Sequence, residues 1–156
     1  MKHENIDFRN FIQKFKKASL IIEVLLFIGI LSAYFIIFNK IIFSIFIFLL
    51  AVFNFLMSFS VYDYDYTKQG SVKRSIFVEY LSFWTKAMIS ISVLFVFFNF
   101  TDKKTGLIIE TTALILCIII VLFNKLKGEK NEIYNIVEII RNIVYILIAI
   151  YFFIYF

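Results

Sequence analysis

Six ionisable side chains, Glu23, Glu79, Lys86, Glu110, Glu138 and Arg141, fall inside otherwise apolar stretches of this chain. Charges are costly to place in hydrocarbon, so residues of this kind mark ion or proton pathways, ligand sites or internal ion pairs. Glu138 and Arg141 are three apart in sequence, which sets them on one helical face within pairing distance. Glu79 and Lys86 are seven apart, again on one face but two turns distant, too far for direct contact. Taken together, Glu23, Glu79, Lys86, Glu138 and Arg141 form a candidate cluster with two chemistries open to it. It could bind a cation or an anionic headgroup, or relay protons. Alternatively, it is an inward-facing ion-pair network that orients helices. Lys86 has a third option: if Tyr80 and Trp84 mark the membrane boundary, its ammonium can snorkel to the headgroups.

The remaining inventory excludes most enzymes. The single histidine is His3, close to the start of the chain, so His-based metal sites and Ser-His or Cys-His catalysis are not expected. Cys117 is the single cysteine and can form no intrachain disulfide; inside an apolar run it reads as a small hydrophobe. There is no Gly-rich phosphate cradle. In the DYDYTKQG stretch Asp63 and Asp65 alternate with tyrosines. A Ca²⁺ site takes 6–8 oxygens, and nothing nearby supplies the rest. The expectation is a non-enzymatic protein with no cofactor and no metal.

The elements that carry the six charges are long apolar runs. Of the 156 residues 62% are hydrophobic, and Pro is absent. A helix needs about 20 apolar residues to cross the hydrocarbon core, and five runs meet that length, at about 18–38, 41–62, 76–100, 107–124 and 133–156. The fold class expected is all-α: a polytopic membrane helical bundle of five transmembrane helices (residues 18–156) preceded by a short interfacial amphipathic helix (residues 1–17). Phe8, Phe11, Ile12 and Phe15 make one stripe at helical spacing in that first segment, and Arg9, Lys14, Lys16 and Lys17 occupy the rest of its surface. A cleavable signal peptide fits badly, because the charged region is long and no small-x-small site closes the apolar stretch. Asn39 and Lys40 alone separate the first two runs, which demands a tight antiparallel hairpin. Gly70 marks a turn in the next break, and the short break TDKKTG after the third run ends at Gly106. Gly29 is the glycine well inside a run, so the helices read as continuous, without the Gly/Pro interruptions common at transporter sites. With Ala33 it gives a small-xxx-small spacing, and Asn54 can hydrogen-bond across helices; all three are candidate packing residues.

Orientation follows from the positive charges. With the N-terminus in the cytoplasm, five Lys/Arg before the first run, three in 63–75 and three in 125–132 lie inside, against Lys40, Lys103 and Lys104 outside. This gives five spans with the N-terminus in and the C-terminus out; a four-span chain with one run on the membrane surface is the rival. The net charge of +5 is confined to the breaks, which points to topology and not to nucleic acid. The abundance of Phe, Ile, Asn, Lys and Tyr matches A/T-rich codons, hence a bacterial cytoplasmic (inner) membrane. Besides the lipid bilayer, the expected partner is another membrane protein, for an accessory or toxin-immunity-type role. The alternative is a homo-oligomeric channel or small-ion transporter built on the charge cluster.

Overall fold

In the computed structural model the described residues, 2–60, 70–99, 103–126 and 136–156, form five α-helices. They are α1 (Lys2–Phe35), α2 (Lys40–Ser60), α3 (Gly70–Phe97), α4 (Lys103–Leu126) and α5 (Ile136–Tyr155). All five contain a stretch long and apolar enough to cross a membrane: Ala18–Phe35, Lys40–Phe59, Phe77–Phe97, Lys104–Phe123 and Val137–Tyr155.

The helix ends follow from local chemistry. At the end of α1 the N–H groups of Ile36 and Ile37 both donate to the Ser32 carbonyl, and that of Asn39 reaches back to Ala33. Closing the helix this way places Phe38 at φ 52°, a left-handed conformation that costs a non-glycine residue about 1–2 kcal/mol. Asn39 then caps α2: its Oδ1 accepts from the N–H of Ile41 at 2.9 Å and of Ile42 at 3.1 Å, satisfying two donors that the first turn leaves open. The two-residue hairpin read from the sequence is therefore an αL closure feeding directly into an N-cap.

Three boundaries differ from the sequence reading. Residues 2–17 are helical, but they are not a separate element: α1 runs unbroken through residues 17 and 18, because no Pro or Gly interrupts it. Gly70 begins α3, so residues 70–75 extend that helix instead of belonging to a loop. Gly106 lies inside the first turn of α4. Its role is close approach: a Cβ there would sit 3.0 Å from Ser92 Oγ on α3. The Asp63–Asp65 stretch and the 127–132 break lie outside the described residues.

Helix α3 is central, packing against α2, α4 and α5, while α1 packs on α2 and α4 on α5. Gly29 lets α1 close on α2, since a Cβ at that position would fall 2.5 Å from the Phe46 ring. The core in the half of the bundle nearest the α1–α2 turn is apolar, built on Ala33, Phe43, Ile47, Leu50, Val93 and Val96. Outward faces are apolar too: Ile21, Leu25 and Ile28 on α1 are each more than half exposed. Such a surface suits lipid, which is as apolar as the side chains themselves.

Candidate functional site

The other half of the bundle is held by polar groups. Lys86 on α3 lies nine residues after Phe77 and eleven before Phe97, near the middle of its apolar stretch. Its side chain is completely buried, with Nζ 3.0 Å from Glu138 Oε2 on α5. Its ammonium thus turns into the bundle toward that carboxylate, not outward along α3 as reaching for headgroups would require. Its Nζ lies 4.6 Å from the centroid of the Phe83 ring, one turn earlier on α3.

One helical turn after Glu138, Arg141 sits at the hub. Its Nη1 pairs with Glu138 Oε1, the i, i+3 contact expected from spacing, and its Nε pairs with Glu23 Oε2 on α1. The Arg141 guanidinium also lies over Phe83, 5.3 Å from the ring centroid, so one aromatic ring serves both cations. The chain of contacts continues through Tyr145, one turn beyond Arg141. The Tyr145 hydroxyl donates to Glu23 Oε1 at 3.0 Å and accepts from Asn54 Nδ2 of α2 at 2.6 Å. Asn54 Nδ2 also donates to the Leu50 carbonyl at 3.0 Å. A second, neutral link joins α3 to α5, with Ser82 Oγ donating to Asn142 Oδ1 at 2.9 Å.

No family model, curated protein or solved structure matches this chain. The site is therefore read from its own geometry.

Lys86, Glu138, Arg141 and Glu23 are two cations and two anions, and their formal charges cancel. Each is shielded from solvent, with side-chain exposures of 0, 12, 8 and 2% respectively. In such surroundings an ion is tolerable only when its partners are within hydrogen-bond reach. The network touches four helices, α1, α2, α3 and α5, and through Glu23 it ties α1 to α5. Glu79 is also buried, two turns before Lys86 on the same helix. Gly29 and Ala33 do not take part; they belong to the α1–α2 contact and the apolar core. Glu110 sits near the opposite end, half-buried on α4, where its Oε1 accepts from Ser92 Oγ of α3 at 2.9 Å.

Among the described residues, no three His, Cys, Asp or Glu side chains come together as a metal site. Phe83, Tyr145, Asn142 and Ser82 were not among the residues singled out by sequence. A signal for two of them exists: Glu138, Arg141, Asn142 and Tyr145 recur at i, i+3, i+4 and i+7, a polar stripe along one face of α5.

Proposed function

We propose that this chain is a non-enzymatic integral protein of a bacterial cytoplasmic membrane. It acts by binding another membrane protein, as an accessory subunit or as a toxin-immunity-type protein. One observation carries the reading: four ionisable groups of the bundle interior, Glu23, Lys86, Glu138 and Arg141, pair with one another. Their carboxylates and cations occupy the space between α1, α3 and α5, where a pore or an exchangeable ion would have to lie. Work of this kind is structural. It fixes which helix faces turn outward, and those faces, together with the loops, are what a partner meets.

The topology that goes with this reading has the N-terminus in the cytoplasm and the C-terminus outside. A straight helix of the length of α1 spans about 51 Å, against a hydrocarbon core of about 30 Å. Roughly 20 Å of helix, rich in Lys and Phe, is thus left for the cytoplasmic headgroup region, where the interfacial segment 1–17 would lie. A reporter fused after Phe156 should be active only outside the cell; activity inside would reverse or reduce the span count.

Native mass spectrometry of the protein gently extracted from its own membrane tests the function. A defined heteromeric partner is the expected result. The rival reading, an oligomeric channel or small-ion transporter, has in its favour that Glu23, Glu79 and Lys86 all face the interior. A homo-oligomer whose cation flux is lost in Glu23→Gln and Glu138→Gln would replace the interaction reading with the channel.

A further inference from the structure

Glu23, Lys86, Glu138 and Arg141 pair with one another; Glu110 stands apart from them. It lies six residues after Lys104, where the apolar stretch of α4 begins, so about 9 Å into that stretch. Its polar contact among the described residues is with α3, where Glu110 Oε1 and Ser92 Oγ are 2.9 Å apart. Its second oxygen, Oε2, is shielded from solvent and meets no hydrogen-bond partner. Among the described residues no cation pairs with it. Lys103 lies two turns earlier on α4. Lys104 turns toward α5, its ammonium 5.2 Å from the centroid of the Phe153 ring. On α3 the charge nearest in sequence to Ser92 is Lys86, which Glu138 holds at 3.0 Å. Cys117, two turns further along α4, packs with Val78 and Val121. Where α5 meets α4 beside Thr111 it presents Ala149, Ile150 and Phe153, all apolar.

The orphan oxygen decides which form of Glu110 these surroundings favour. A carboxylate spreads its charge over both oxygens and, away from water, needs donors on both. Here one neutral hydroxyl serves one of them. A carboxylic acid asks for less. With the proton on Oε1, the same 2.9 Å contact serves with its donor reversed, and the Ser92 hydroxyl turns to a carbonyl of its own helix. Ser90 on α3 and Thr112 on α4 bond in that way, to the carbonyls of Lys86 and Ile108. Oε2 is then a neutral carbonyl oxygen, and a buried carbonyl short of partners is more tolerable than an orphaned charge. A metal ion fits poorly. Calcium and magnesium take roughly six or more oxygens, and the Thr112 hydroxyl is already engaged. The α4 backbone also closes on the contact, since a Cβ on Gly106 would sit 3.0 Å from Ser92 Oγ and 3.8 Å from Glu110 Oε1. A proton needs no such space.

We propose that Glu110 is a proton-binding site: at neutral pH it is a carboxylic acid hydrogen-bonded to Ser92 across the α3–α4 contact. As such it is the carboxyl of the bundle open to modification by a lipid-soluble carbodiimide. In that reaction the carboxyl oxygen bonds to the central carbon of the reagent while the carboxyl proton passes to one reagent nitrogen. The acyl carbon then leaves that oxygen for the other nitrogen, giving an acylurea that keeps every atom of both reactants. Glu23 and Glu138, held as carboxylates by Arg141 and Lys86, have no proton to give. The proposal is independent of the partner-binding reading, since Glu110 lies outside the ion-pair network.

The test treats the full chain in nanodiscs with dicyclohexylcarbodiimide at neutral pH and maps the product by peptide mass spectrometry. Glu110 should gain the mass of one intact reagent several-fold faster than Glu23 or Glu138, and the rate should fall as the pH is raised. Infrared spectroscopy gives a readout without reagent, because a protonated carboxyl has a C=O stretch that carboxylates lack. That band should be present in the unmodified chain, vanish in Glu110→Gln and shift in Ser92→Ala, which removes the hydrogen-bond partner. Absence of the band at neutral pH would overturn the proposal, as would equal labelling of Glu23, Glu110 and Glu138. Labelling blocked by sodium or potassium ions at constant pH would also overturn it, by putting a metal cation in the place of the proton. If either variant fails to fold, the band and the labelling pattern of the unmodified chain decide alone.

Discussion

The hub position of Arg141 makes a quantitative prediction. Replacing it with Met removes a cation that contacts both Glu23 and Glu138. The formal charge of the four-residue network then goes from 2 − 2 = 0 to 1 − 2 = −1. At an effective dielectric of 20, a unit pair 4 Å apart is worth about 4 kcal/mol, and removing one partner of a buried pair typically costs about 3–5 kcal/mol. Arg141→Met should fall in that range. Glu23→Gln leaves the opposite imbalance, 2 − 1 = +1, but keeps an oxygen able to accept from Tyr145, so its cost should be about 2 kcal/mol. The double variant restores balance, because Lys86 and Glu138 remain paired at 3.0 Å. It should therefore be less destabilised than the sum of the singles by about 2–3 kcal/mol. The chain carries its own probe: Cys117 is the single cysteine and is fully buried. Its reaction with a maleimide during an SDS titration in mixed micelles reports loss of tertiary packing even while helices persist. Additivity of the two substitutions to within about 0.5 kcal/mol would mean that Glu23 and Arg141 are not coupled. The network would then not be what holds α1 to α5.

Two smaller perturbations probe the other ties. Gly29→Ala places a methyl group 2.5 Å from the Phe46 ring and should destabilise by about 1–3 kcal/mol through overpacking. Phe46→Leu should relieve much of that in the double variant, read by the same thiol assay; no relief would mean that α1 and α2 do not meet there. Tyr145→Phe removes the hydroxyl that links Asn54 to Glu23 and should cost about 1–2 kcal/mol, in the upper part of the range for intramembrane hydrogen bonds. A neutral result would show that Asn54 and Glu23 find other partners.

What the sequence discloses is governed by distance along the chain. The five helices are legible because lipid-crossing length and apolarity are local properties, and so is the i, i+3 pairing of Glu138 with Arg141. Helix ends are less so. Gly70 was read as a turn residue from type alone, yet it begins a helix, and Gly106, read as the end of a break, lies within α4 at a tight α3–α4 contact. The partner of Lys86 is 52 residues away and that of Asn54 is 91 away; no spacing rule specifies either. Helices α1, α3 and α5 run the same way, which the alternation of spans discloses, and Glu23, Lys86, Glu138 and Arg141 meet on them, while Glu79 lies two turns before Lys86. Which anion meets which cation depended instead on helix rotation, and rotation is set by packing.

The same rotation explains why the two halves of the bundle differ. Arg141, Asn142 and Tyr145 turn one face of α5 toward α1, α2 and α3, and the polar contacts on that face draw α1 in at Glu23. One turn further along, the stripe becomes Ala149 and Phe152 of the apolar core, and the Phe152 ring meets Phe43 of α2 and Tyr34 of α1 at centroid distances of 6.0 and 6.2 Å. Helix α1 is meanwhile held to α2 by Gly29 and Ala33. Helices α1 and α5 are joined by an ion pair at one level and a tyrosine pair at the other. Between them the only kind of contact open to the side chains is apolar, and the Phe27 and Tyr145 rings meet edge to face with centroids 5.4 Å apart.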